Sequence, residues 1–186
     1  MAEWRRGGAK MIRMDIVIRR ALPAQYTALG ELTAQAYLGD GLLDFGEDDD
    51  YLGELRDTAK RAASADVLVA VEATGAGDGR LLGTVTFVPA GGPMADIARD
   101  GEAEIRMLAV AKEARGHGVG TSLVRCCVDR ARATAGCTGI ALSTQRTMHS
   151  AHRIYERLGF TRTPARDWNP VPHLDDLLLL TYELTL

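Results

Sequence analysis

The chain has 186 residues, 46% apolar and 25% charged, with a formal net charge of −3. That length suits one domain with its own core, the composition is that of a globular protein in water, and the slight acidity gives a nucleic-acid partner no footing. Cys126, Cys127 and Cys137 are odd in number and lack metal-ligand spacing, so reduced thiols in a cytosolic protein are expected and a disulfide framework is not.

Residues 1–13 carry Trp4, Arg5, Arg6, Lys10 and Arg13 but no apolar run of signal-peptide length. They are expected to be a disordered extension, or to precede a start at Met11 or Met14, leaving 14–186 as a single domain. No stretch is apolar enough for a membrane span, which points to the cytoplasm. Residues 16–20 alternate as a short strand, and Pro23 then opens a helix over 23–38, with Tyr26, Leu29, Leu32, Thr33, Ala36 and Tyr37 on one face. Asp48, Asp49 and Asp50 suit the start of a second helix whose apolar side is Tyr51, Leu52, Leu55, Ala59 and Ala62. Residues 67–72 and 81–89 read as strands joined by a glycine-rich hairpin turn at 75–79. Ile105, Leu108 and Val110 mark another strand, 121–135 a long helix, 139–143 a buried strand, 148–158 a helix stopped by Gly159, and 177–184 a last strand. The predicted order β-α-α-β-β-β-α-β-α-β is α/β with a mixed central sheet and flanking helices.

The strand ending at Val110 meets the long helix at Arg115-Gly116-His117-Gly118-Val119-Gly120. A helix start exposes unpaired N–H groups and partial positive charge, which attract phosphate. Glycines remove the Cβ atoms that would keep a pyrophosphate at a distance. A flexible strand-to-helix connection would also be rich in glycine. The turn lacks the lysine of a P-loop, since Thr121 and Ser122 follow Gly120, and it lacks the spacing and downstream acid of a dinucleotide fingerprint.

Arg115, Gly118 and Gly120 in the pattern Arg/Gln-x-x-Gly-x-Gly/Ala resemble the acyl-CoA-binding motif of the GNAT superfamily of N-acyltransferases. A second segment, Ala151-His-Arg-Ile-Tyr155-Glu-Arg-Leu-Gly159-Phe160, is similar to that family's helix carrying tyrosine and ending in Gly-Phe. Some 40 residues separate Arg115 from Tyr155, and the resemblance runs from about Asp15 to Leu186. It implies the GNAT-like fold and acetyl-CoA as cosubstrate. Leu108, Ala109 and Val110 would pair with the pantetheine arm, and Arg115, Gly116, His117, Gly118, Val119, Gly120 and Thr121 would hold the phosphates. Read by themselves, Leu108 and Val110 suit a plain core, Arg115 could pair with Glu113, and His117 is an ordinary exposed loop histidine.

Acyl transfer to an alkyl amine needs a base, because an amine of pKa near 10.4 is almost wholly protonated at pH 7; exposing its lone pair costs about 4 to 5 kcal/mol. The leaving thiolate needs an acid. The resemblance points to Tyr155 as that acid and to Glu104 as the base, with ordered water the alternative base and a solvated strand start the plain reading of Glu102 and Glu104. Met148 stands where many members carry Asn. His149 and His152 lie three apart on a helix, but no further ligand completes a metal set and none is expected. The acceptor site would draw on Tyr37, Asp44, residues 47–50 and Trp168, an acidic cluster that suits a cationic amine and equally a solvated helix start.

The expectation is an acetyl-CoA-dependent N-acetyltransferase whose acceptor, a small-molecule or peptide primary amine, attacks the thioester directly in a ternary complex. The pattern allows a homodimer. Two competitors stand beside it: a catalytically silent acyl-CoA-binding sensor, and a nucleotide-binding domain, which the missing lysine and acid disfavour.

Overall fold

The computed structural model describes residues 15–73, 79–172, 174 and 177–186. The expected extension at 1–13 lies outside the described residues, as does most of the 75–79 hairpin turn. Seven strands, β1 Ile16–Arg20, β2 Asp66–Glu72, β3 Leu81–Val88, β4 Glu102–Val110, β5 Gly139–Gln145, β6 Thr161–Arg162 and β7 Leu179–Thr185, make one sheet in the order β1-β2-β3-β4-β5-β7-β6. All neighbours are antiparallel except β4 and β5. That parallel pair needs a crossover, supplied by the helix α4, Val119–Ala133.

Helix α1 is Tyr26–Gly39, entered through a 3-10 turn at Pro23–Gln25, and α5 is His149–Arg157. The single helix expected after Asp50 is two, α2 Tyr51–Arg56 and α3 Thr58–Ser64. Asp57 divides them: it leaves helical geometry at ψ 69, and its side chain accepts the Lys60 N–H at 2.9 Å, capping α3. An aspartate that can bond the following backbone favours a new cap over continuation. The two-residue strand β6 has no sequence pattern of its own and is defined only by its pairing with β7 at Thr161↔Glu183 and Arg162↔Tyr182.

The sheet is covered on both faces, so its central strands are buried almost throughout. Leu68 and Ala70 of β2 join the core under α4, and Val69 and Val71 join Leu29 of α1 on the other face. Strand β4 breaks this period-two rule. Ala103 and Ile105 belong to the α4 core but Met107 packs with Ala34, Leu52 and Leu55, after which Leu108 and Val110 return to the α4 side. A β-bulge is the cause: Thr84↔Ala109 and Thr86↔Arg106 set one β3 residue against two on β4, and Met107 takes φ 52. One extra residue flips every later side chain to the other face.

Candidate active site

The parallel ladder between β4 and β5 starts at Glu102↔Gly139 and ends at Ile105↔Leu142. Beyond that point the strands part, β5 staying with β7 as far as Gln145↔Leu179 while β4 continues to Val110 beside β3. The bulge at Met107 lies just past the parting. Leu108 and Val110 are half-buried against the α4 core, and Ala109 between them is 3% exposed.

After β4 a 3-10 turn at Lys112–Ala114 leads into the glycine turn. Gly116 and Gly118 take φ of 79 and 83, and Gly118 is the N-cap of α4. A Cβ built on either would meet nothing within 4 Å, so open space faces the first amides of α4. These two glycines are needed for their left-handed backbone. Gly120 is different, and corrects the idea that all three clear a path for an anion: a Cβ there would lie 3.0 Å from Ile154 Cδ1 and 3.6 Å from Val110 Cγ2, so its bareness lets α5 close on α4. His117 is exposed, and Thr121 is half-buried in the first turn of α4. Arg115 pairs not with Glu113 but with Asp40 just past α1, through two bonds of 2.7 and 3.0 Å, and also reaches the Val110 carbonyl at 3.3 Å. The turn fits a diphosphate: free helix amides, positive potential, open approach and one arginine.

Tyr155 sits in α5 and is 3% exposed, its ring 5.9 Å from both Phe160 and Tyr182. The Gly-Phe sequence explains that placement. Gly159, at φ 91, donates to the Glu156 carbonyl and Phe160 to that of Tyr155, closing the helix so that Phe160 folds back on Tyr155. Burial pushes the Tyr155 hydroxyl well above its ordinary range, with Cys127 and Tyr182 adding to the effect. The group therefore stays protonated at neutral pH.

Glu104 is 1% exposed, not at a solvated strand start. Its Oε2 accepts the N–H groups of Asp96, Ile97 and Ala98 at 3.0, 2.8 and 2.9 Å, and its Oε1 lies 3.8 Å from Arg106 Nε. Burial pushes the carboxyl up and the Asp96 carboxylate adds to that push, while the Ile97 and Ala98 N–H groups and Arg106 pull it back only in part. Arg106, two residues on, reaches the Met94 carbonyl at 2.5 Å and Asp96 at 2.6 Å. Together the pair straps the 94–98 loop to β4. Nothing local in the sequence marks Arg106 or Asp96 for this.

Where the strands part, a cavity of about 560 Å³ opens. Ile105, Arg106 and Met107 line it from β4, Ser143, Thr144 and Gln145 from β5, and Met148 from the start of α5. Tyr37 and Tyr51 meet edge to face at 6.3 Å on another wall, and Trp168 and Leu174 before β7, with Leu179 at its first position, form a further wall. Gln145 Nε2 donates to the Leu42 carbonyl at 2.7 Å, fastening the loop after α1 to β5. Of the expected acceptor residues, Tyr37, Asp44, Asp48, Asp49, Asp50 and Trp168 line the cavity. Among the described residues no group of three or more His, Cys, Asp or Glu is placed to hold a metal, and no helix is long and apolar enough to cross a membrane. Cys126, Cys127 and Cys137 are free thiols.

Residues 30–160 match the model of the acetyltransferase (GNAT) family. The protein yncA from Salmonella typhimurium, solved with its cofactor acetyl-CoA, superposes with a TM-score of 0.66 at 23% identity, covering 92% of this chain and 94% of that one. A GCN5-related N-acetyltransferase from Kribbella flavida gives 0.66 at 22% identity, with 92% and 98% covered. A GNAT-family acetyltransferase from Staphylococcus aureus Mu50 gives 0.62 at 16%, with 92% and 99% covered. No curated protein sequence matches the chain.

Proposed function

The chain belongs to the GNAT family of acetyl-CoA-dependent N-acetyltransferases, and from that premise we propose that it acetylates a primary amine held in the cavity beside the parted strands, by direct attack in a ternary complex. The observation that carries this reading is the end of the β4–β5 ladder at Ile105↔Leu142, directly over a cavity lined by both strands. Acetyl-CoA supplies an activated thioester carbonyl. The residues proposed to hold it are Leu108, Ala109 and Val110, whose strand edge past the parting no longer pairs with β5 and would meet the pantetheine amides, and Arg115 to Thr121, whose glycine turn and helix amides would meet the phosphates. Arg115 would exchange Asp40 for phosphate.

Two proton transfers remain. Tyr155 is proposed as the acid for the leaving thiolate: its phenol carries the proton at neutral pH, and because burial makes that proton harder to give up, its transfer has to be driven by the charge developing on the departing sulfur. Glu104 is proposed as the base, reached through water at Oε1, because Oε2 is committed to three amides. Burial raises its pKa toward what a base at neutral pH needs. Those same three amides favour a second reading, in which Glu104 only straps the 94–98 loop and water alone accepts the proton.

The test is Tyr155→Phe, which keeps the ring against Phe160 and Tyr182. With an accepted amine and chemistry rate-limiting, turnover is expected to fall about 100-fold while acetyl-CoA affinity stays within about twofold. Full turnover in the variant would remove Tyr155 as the proton donor.

A further inference from the structure

Strand β5 changes character where β4 leaves it. Gly139, Ile140, Ala141 and Leu142 stand in register with β4 and are all buried, whereas Ser143, Thr144 and Gln145, beyond the last pair at Ile105↔Leu142, are all polar. The strand does not end there, because Ser143↔Thr181 and Gln145↔Leu179 keep it fixed along β7. A polar tail on a rigid strand, opening on the cavity, can hold a reacting group in place.

The two parted strands bring four polar side chains to the cavity, Arg106, Ser143, Thr144 and Gln145. Three of them are committed. Arg106 holds Asp96 and the Met94 carbonyl, the Thr144 hydroxyl donates to Met148 Sδ at 3.3 Å, and Gln145 Nε2 donates to the Leu42 carbonyl at 2.7 Å. The half-buried Ser143 hydroxyl makes no hydrogen bond among the described residues.

The sheet gives that hydroxyl a direction. Ala103 and Ile105 of β4, like Ile140 and Leu142 of β5, belong to the α4 core. With a period of two, Glu104 and Arg106 on β4 and Ala141 and Ser143 on β5 lie on the opposite face. Glu104 is in register with Ala141, so Ser143 is the next side chain of β5 on the face that carries Glu104, one residue or about 3.3 Å past the last pair. Glu104 does not itself border the cavity, whereas Ser143 does.

A hydroxyl meets the amine's proton problem better than a charge does. A carboxylate against an ammonium stabilises it and opposes loss of its proton, and a guanidinium cannot accept one. A serine hydroxyl accepts an N–H on a lone pair while giving its own hydrogen to a neighbour, so it passes a proton on without ending charged.

Resting on the acetyltransferase reading above, we propose that Ser143 is a further catalytic residue, the hydroxyl that touches the attacking amine and relays its proton to water on the Glu104 side of the parting. The ammonium nitrogen loses one proton by this route to solvent. Its lone pair then forms the C–N bond to the acetyl carbonyl carbon, the C–S bond breaks, and the sulfur takes a proton from Tyr155. The second proton that nitrogen sheds in becoming an amide leaves the same way and, through solvent, restores Tyr155. The relay is the same whether Glu104 or water takes the proton at its far end.

The experiment compares wild type, Ser143→Ala and Ser143→Thr by thiol release from acetyl-CoA, with benzylamine, putrescine, L-lysine and a peptide with a free N-terminus as acceptors, from about pH 6.5 to 10. With the fastest acceptor, kcat/KM of Ser143→Ala is expected to fall at least about tenfold at pH 7, and the gap to narrow below about threefold near pH 10, where much of the amine is already free. Ser143→Thr keeps the hydroxyl and is expected to stay within about threefold of wild type. The melting temperature, and its rise with acetyl-CoA, are expected to be unchanged in both variants. A Ser143→Ala rate within about threefold of wild type at pH 7, a loss equally deep at pH 7 and 10, or a Ser143→Thr that falls as far as Ser143→Ala overturns the relay and leaves the acetyltransferase reading standing. Acetyl-CoA binding by a wild type that acetylates none of these amines removes the acetyltransferase reading, and the relay with it.

Discussion

Glu104 shows how one side chain can be asked to do two jobs. A carboxylate accepting three N–H groups on one oxygen is a strong anchor, and burial that raises its pKa suits a base. Glu104→Gln keeps an acceptor oxygen for the three N–H groups and removes a charge that burial disfavours, so stability at pH 7 is expected to change by less than about 1 kcal/mol, read by denaturant unfolding. If the same residue is also the base, the rate with a cationic amine at pH 7 falls about 100-fold and recovers partly at higher pH, where free amine accumulates. A rate change under about threefold at every pH would leave Glu104 as a strap and water as the proton acceptor. The histidines are simpler: His152 reaches the Gln145 carbonyl at 3.0 Å and stacks near Tyr182, which ties α5 to the end of β5.

Among the elements, the end of α1 is joined to the glycine turn ahead of α4 by Asp40, which holds Arg115. Both side chains are more than two-fifths exposed, and an exposed pair of this kind is worth about 0.2 to 1 kcal/mol. On the proposed assignment of Arg115 to phosphate, acetyl-CoA binding would displace that contact. Asp40→Asn is therefore expected to raise acetyl-CoA affinity by up to about fivefold in calorimetry, as Arg115 is released to the ligand. Weaker binding in Asp40→Asn would mean that Arg115 must be held by Asp40 to help at all, and its direct role toward phosphate would fall. The bulge in β4 explains how that strand serves both the cavity and the α4 core. A strand bulged at Met107 turns its next residues over, placing Arg106 and Met107 on the cavity and Leu108 and Val110 on the α4 core.

For the whole molecule, the join between the start of β4, the 94–98 loop and β7 depends on charge. Arg166, with a side chain 6% exposed, binds Glu102 at 2.9 Å, the Ile97 carbonyl at 2.5 Å, and Glu183. Burial alone would push the Glu102 carboxyl up, but Arg166 and the Arg99 N–H more than offset it and hold it below its ordinary value. For Asp167 burial acts in the same direction and is likewise outweighed, here by Arg162 and the Thr181 N–H. A carboxyl depressed in the folded state contributes stability above its unfolded pKa, about 4, and that contribution is lost as pH falls through the folded value. Glu104, raised instead, works in the opposite sense. The double variant Glu102→Gln, Asp167→Asn is thus expected to melt below the wild type at pH 7, with the gap closing below about pH 4. A gap that stays constant from pH 7 to 3 would show that these charges are not what holds the join.

The strand-to-helix turn, the helix stop at Gly159-Phe160 and the mixed order of strands and helices could all be read from the sequence, because each depends on the conformation or periodicity of a few adjacent residues. Gly116, Gly118 and Gly159 all take the positive φ that glycine alone adopts freely. What adjacency does not encode came out differently or not at all. Asp57 cut a helix in two, Glu104 turned inward to three amides of another loop, and Arg115 chose a partner 75 residues away over Glu113. The bulge at Met107 has no residue signature, since its φ of 52 is imposed on a methionine by pairing with β3 on one side and the parting from β5 on the other. The cavity is likewise a property of packing: its walls come from α1, the 42–50 loop, two strands and the segment before β7, and only their meeting decides which side chains share it.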